Sequence, residues 1–216
     1  PDEAVKFVKE TKVDALAISR SFEEARSHGC KVAGAVISAR EDAEPLSDVE
    51  LQAATRTIEL PLQDPASAEE LEAQIAELTE QRAAAEAQGN AVWEQIYRWR
   101  IRRREQFLPL AREGATGLTR PLKATALRIG PGVIVGLPGE VLVEYALWIE
   151  RDSPFEHTIV PAYTNGMIGY VATAGAIARG GYEVDTSFDY YGGLSLRCET
   201  EPIVLAGVAE MLAELG

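Results

Sequence analysis

The stretch "VGLPGEVLVEYALWIERDSPF" sets Glu140 between a Pro-Gly turn and a run too apolar for an ordinary surface helix. In the first turn of a helix a carboxylate is stabilised as an anion by the dipole and the unpaired amides, by about 0.3–1 kcal/mol when exposed. Capping is therefore its plainest role. The residues that follow, Val141 to Val143 and Tyr145 to Ile149, are apolar on nearly every helical face, which predicts a buried helix. A carboxylate beside a buried helix end needs a partner, and a bound cation would supply one.

Tyrosine recurs downstream in glycine-rich loops, where Tyr163, Tyr170, Tyr182, Tyr190 and Tyr191 make five of the seven in the chain. Packing is the first role of such rings. Gly169 before Tyr170, and Gly180-Gly181 before Tyr182, remove side chains next to each ring and let backbone or a ligand come close. Asn165, ahead of Gly166, either forms a turn or orients a ligand.

These side chains need a scaffold, and the pattern predicts an α/β protein with a mixed sheet, flanking helices and a helical excursion over residues 67 to 112. "PDEAVKFVKET" reads as a short helix and "KVDALAIS" as a buried strand. Ser21 followed by Glu24 fits a capping box for a helix from Phe22 to about Ala39. In "VELQAATRTIELPL", Ile58, Leu60 and Leu62 alternate with polar residues and Pro61, a strand with one buried face. Ser67 and Glu70 form a second capping box, ahead of Leu71, Ile75 and Leu78 at helical spacing. Gly89-Asn90 interrupts, and a second helix continues through "AVWEQIYRWRIRRREQFLPL".

From Leu118, "LTRPLKATALRIG" and "GVIVGLP" read as strands joined by a Gly130-Pro131-Gly132 turn, and Glu140 opens the next helix. A strand "HTIVPAY", loops around "TNGMIGYVAT" and "RGGYEV", and a terminal helix capped by Thr200 with Pro202 in its first turn complete the chain.

A formal net charge of -13 argues against broad electrostatic binding to nucleic acid or anionic lipid. The run from Arg98 to Arg104 is the local exception; it reads as a solvated helix face pairing with nearby glutamates, with phosphate or an acidic partner as the alternative. Two cysteines, Cys30 and Cys198, cannot build a disulfide framework and leave the redox compartment open. No window predicts a membrane span, and no basic-then-apolar signal is visible, so localisation stays unassigned. The chain opens on Pro1, and an amino-terminal portion upstream is expected.

The order of "GVIVGLPGEVLVE", "RDSPFEHTIVPAYTNGMIGYVAT" and "GGYEV" resembles the carboxy-terminal part of the neutral/alkaline ceramidase catalytic domain, in its bacterial branch. "SFEEARSHGCKVAGAVISA" and "LSDVELQAATRTIELPLQ" look like the helix and strand that precede it there. The resemblance covers residues 20–216 and implies an incomplete ceramidase-like domain of a zinc amidase that cleaves the N-acyl bond of a lipid amide such as ceramide. It implies that Glu140 and Tyr170 are zinc ligands and that Tyr182 is the catalytic phenol that donates to the developing oxyanion. Zinc-bound hydroxide would attack the amide carbonyl, and the phenol's hydrogen bond would strengthen as charge develops.

The family draws two further zinc ligands, both histidines, from an amino-terminal portion. This chain has only His28 and His157, neither in a family metal motif. With Glu140 and Tyr170 alone the shell is half filled, which implies weak zinc binding and an inactive isolated chain. A non-catalytic binding or structural homologue is the alternative. Residues 1–19, "DEAVKFVKETKVDALAIS" among them, instead resemble a helix-strand segment of class II fructose-bisphosphate aldolases, which suggests a junction near Ser19 and a lyase as a third option.

Overall fold

The computed structural model describes the backbone from Ala15 to Gly216 and side chains from Arg20 onward. The helix expected over residues 1–11 lies outside the described residues. The chain divides into two compact units, Pro1–Asp48 and Val49–Gly216.

In the first unit, helix α1 runs over Ala15–Glu41. Ala15 to Ser19 are therefore helical and not the strand that "ALAIS" suggests. A short apolar run has the same composition in either state, and here it continues the periodicity of the residues after it. Ser21 lies inside α1 and does not open it. Phe22, Val32, Val36 and Ile37 are all exposed on this helix.

The second unit is built on a four-stranded mixed sheet. β1 (Leu51–Pro61) pairs antiparallel with β2 (Thr119–Ile129) along its whole length, from Leu51 opposite Ile129 to Pro61 opposite Thr119. β2 pairs antiparallel with β3 (Gly132–Gly136) across the Gly130 turn, where φ is +55°. β5 (His157–Ile159) joins β3 in parallel, giving the order β1-β2-β3-β5. Ile58 and Leu60 of β1 bury beside Leu122, Ala124 and Ala126 of β2, so the alternation in both strands marks one core face.

Between β1 and β2 the chain leaves the sheet as a helical hairpin, α2 (Ala68–Ala87) and α3 (Ala91–Arg112). The Ser67 hydroxyl accepts from the Glu70 amide at 3.2 Å and the Glu70 carboxylate accepts from the Ser67 amide at 3.0 Å, so the expected capping box is present. Leu71 and Leu78 are buried and Ile75 half-buried. Gly89 at φ +66° turns the chain, and the Asn90 side chain caps α3 at the Trp93 amide.

The other face of the core is covered by α7 (Thr200–Ala213), whose Val204, Val208, Met211 and Leu212 are buried. Gly207 is required there, because a Cβ would stand 2.7 Å from Cδ1 of Ile58. Glu199, and not Thr200, takes the cap position; Thr200 is the first helical residue, with Pro202 in the first turn as expected. α4 (Val143–Asp152) packs beside α7 and buries Tyr145 and Ile149 in the core. It is not buried all round, since Val143 and Leu147 are 66% and 57% exposed. Among the described residues the chain has seven α-helices, the short α5 (Ala174–Arg179) among them, and the second unit adds a two-stranded sheet to the four-stranded one, a mixed α/β architecture.

Candidate functional site

The second sheet positions the site. β4 (Glu140–Val141) and β6 (Tyr170–Val171) run parallel, with Glu140 opposite Tyr170 and Val141 opposite Val171. Side chains alternate along a strand. Val171 is buried and Val141 packs on the same core, so Glu140 and Tyr170 share the opposite, outward face. Glu140 is thus a strand residue and not the first turn of a helix: α4 starts at Val143, behind Leu142 at the cap position. The bridge is short and tight. Its amides run from Glu140 to the Gly169 carbonyl at 2.9 Å and from Leu142 to the Val171 carbonyl at 3.2 Å. A Cβ on Gly139, at φ +108°, would stand 2.5 Å from the Gly169 oxygen, which explains the glycine before the glutamate.

Three phenols surround the carboxylate. The Tyr163 hydroxyl donates to Glu140 Oε2 at 2.9 Å, the Tyr191 hydroxyl donates to Oε1, and Tyr170 also hydrogen-bonds the carboxylate. Tyr163 occupies the left-handed region at φ +58°, uncommon for a non-glycine residue, while its amide bonds the Gly139 carbonyl at 3.0 Å. Tyr191 ends the short helix α6 (Phe188–Tyr191) and packs over Gly169, where a Cβ would meet its ring at 3.4 Å. Tyr182 opens a five-residue π-helical turn, Tyr182–Thr186, behind Gly180 and Gly181, both at positive φ. Its ring stands edge-on to Tyr170 with centroids 5.9 Å apart, and Tyr170 meets Tyr191 at 6.3 Å.

The electrostatics follow from these contacts. Partial burial pushes Glu140 toward its neutral acid, but hydrogen bonds from Tyr191, Tyr170 and Tyr163 outweigh it and hold the carboxyl below its ordinary value. In return, the hydrogen bond to Glu140, with desolvation and its negative charge, pushes Tyr191 up to about 12 and raises Tyr170 and Tyr163. At neutral pH the cluster therefore pairs the Glu140 carboxylate with Tyr163, Tyr170 and Tyr191 as neutral phenols. It faces solvent: Tyr163, Tyr182 and Tyr191 are 60%, 51% and 43% exposed.

Glu140, Tyr170 and Tyr182 therefore meet at one place. Tyr163 and Tyr191 were legible only as members of a tyrosine-rich region; nothing local to "AYTNG" or "DYYGG" specifies a bond to Glu140. Asn165 serves the turn, at φ +62° with its amide donating to Thr125 Oγ1 at 3.3 Å. His28 is exposed on α1, and His157 is 3.8 Å from Glu156 on the surface of β5.

The arginine run resolves differently from a solvated face. Arg98 pairs with Glu94 as expected, but Arg100, Arg103 and Arg104 converge on buried Asp189 at 3.1, 3.1 and 3.4 Å. That carboxylate lies 85 residues from Arg104 along the chain, so no helical spacing signals it. Through it α3 fixes α6, and with it Tyr191. Comparison with protein-family models, curated proteins and solved structures finds no match for this chain.

Proposed function

We propose that the chain carries the carboxylate-phenol half of a zinc amide hydrolase site of the neutral ceramidase type, acting on N-acyl sphingoid or related lipid amides. The supporting observation is the meeting of Glu140, Tyr170 and Tyr182, three residues from separate segments, around one solvent-facing point. The donor set tests the fit to zinc. Glu140 and Tyr170 suit two oxygen positions of a four-coordinate shell, whereas no group of three or more His, Cys, Asp or Glu able to hold a metal occurs among the described residues. The remaining donors have to come from outside them. When bound, zinc supplies a water whose pKa lies near neutrality.

The chain's own residues do the rest. Glu140 contributes the negative charge, held in orientation by Tyr163 and Tyr191. Tyr182, half-exposed and braced by the Tyr170 ring, donates its phenolic proton in a hydrogen bond to the amide oxygen as negative charge builds there. Such a bond accelerates acyl transfer only because it is stronger in the transition state than in the bound substrate.

The open, half-supplied site also favours a second reading, a non-catalytic binding or structural homologue. Amidase assays with zinc, on this chain and on a form extended upstream, separate the two. In the hydrolase reading the extended form cleaves an N-acyl sphingosine, and Tyr182→Phe lowers kcat by roughly 10²–10³-fold with zinc content unchanged. Full turnover by Tyr182→Phe would remove that role, and absence of cleavage in the extended form would favour the binding domain. The aldolase resemblance draws on no residue of this cluster; cleavage of a sugar bisphosphate is its direct assay.

A further inference from the structure

Two adjoining clefts, about 260 and 440 Å³, lie along α3 and share Gln106, Tyr191 and Gly192. Arg102 and Arg103 line the first and Arg120 the second, while Asp189 is the sole acidic residue lining either. That one carboxylate is already divided among Arg100, Arg103 and Arg104. Arg120 has no carboxylate within ion-pairing distance among the described residues. Its guanidinium instead bonds the carbonyls of Ile168 at 2.9 Å, Leu194 at 3.2 Å and Gly192 at 3.5 Å. Arg102 is exposed and also lacks an ion pair among the described residues.

The positive charge here is under-compensated in a chain whose formal net charge is -13. A half-buried guanidinium without a counter-ion is costly. Stacking on Phe188, with Arg120 at 5.1 Å and Arg103 at 6.0 Å from the ring centre, recovers part of that cost. Burial pushes the pKa of both arginines down, and Arg103 pushes Arg120 down further. An oxyanion would relieve this repulsion and accept from the guanidinium N–H groups that the carbonyls of Ile168, Gly192 and Leu194 leave unused.

We propose that this groove binds the oxyanion group of a small ligand, a carboxylate or phosphate, between Arg102 and Arg120, with the Gln106 amide as a further donor. The inference does not rest on the hydrolase reading, because binding is read without turnover. Where both hold, Tyr191 lines the groove and donates to Glu140, so the groove adjoins the carboxylate site and would favour, among lipid amides, those that carry an anionic group remote from Glu140.

The test is calorimetric titration of the whole chain at low ionic strength with inorganic phosphate, N-lauroylglycine and the neutral N-lauroylethanolamine. Saturable binding of phosphate or N-lauroylglycine is expected, lowered roughly tenfold or more by Arg102→Glu and unaffected by Arg112→Ala, an exposed arginine elsewhere on α3. Tighter binding of N-lauroylglycine than phosphate assigns the anion to an amphiphile; phosphate alone assigns it to a free oxyanion. Gln106→Glu provides the second check. It places a carboxylate between the arginines, so it should abolish anion binding while holding or raising Tm. No saturable anion binding, equal binding of the neutral amide, or equal loss in Arg112→Ala would overturn the proposal.

Discussion

Glu140 is held below its ordinary pKa by hydrogen bonds from the phenols around it, and Asp189 accepts from a fan of arginines; both carboxylates tie together segments far apart in the chain. Asp189 is buried with three guanidiniums on it, so removing its charge leaves them facing one another. Asp189→Asn should cost about 3–5 kcal/mol in chemical denaturation, the range for breaking a buried ion pair from one side. A loss below about 1 kcal/mol would mean that α3 does not hold α6 through this residue. At this scale the sequence is partly readable. Glu140, Tyr170 and Tyr182 stand out through motifs and flanking glycines, because a glycine beside a functional residue leaves a visible mark. Tyr163, Tyr191 and Asp189 do not, since their partners are set by folding over distances of 23 to 89 residues.

The elements that place those residues range from long and periodic to minimal. β1, β2 and the α2–α3 hairpin are plain in the sequence because the alternation of Ile58, Leu60 and Leu62, the strand-forming run before the Gly130 turn and a capping box are local signals. β4 and β6 have two residues each, too short for any period, which is why Glu140 reads as a helix start until its partner is known. Their closeness depends on Gly139. Gly139→Ala drives a methyl into the Gly169 carbonyl at a φ that alanine resists, and should destabilise by about 1–3 kcal/mol. Thermal unfolding of the purified variant checks it. The capping box has its own pH signature. The hydrogen bonds from the Ser67 hydroxyl and amide hold Glu70 below its ordinary value of 4.5. Its contribution is therefore complete above that value and is lost as the pH falls through the lower folded value. Glu70→Gln should show a shallower acid loss of stability than the wild type, measured by denaturation at pH 3 to pH 6, and an unchanged slope would count against the box.

At the scale of the whole molecule, the mixed α/β class follows from local patterns, but the sheet order does not. β5 lies parallel to β3 across a helix, a long-range pairing that no window of sequence encodes. The same limit applies to function. One chain brings a carboxylate and a phenol to adjacent strands and a second phenol against them, while no group of three or more His, Cys, Asp or Glu able to hold a metal occurs among the described residues. No described helix is long and apolar enough to cross a membrane. The decisive measurement is zinc affinity by competition titration, on the upstream-extended form and its Glu140→Gln and Tyr170→Phe variants. Each variant should bind zinc roughly tenfold or more weakly than the parent. Parental affinity in both would mean that these two side chains do not hold a metal.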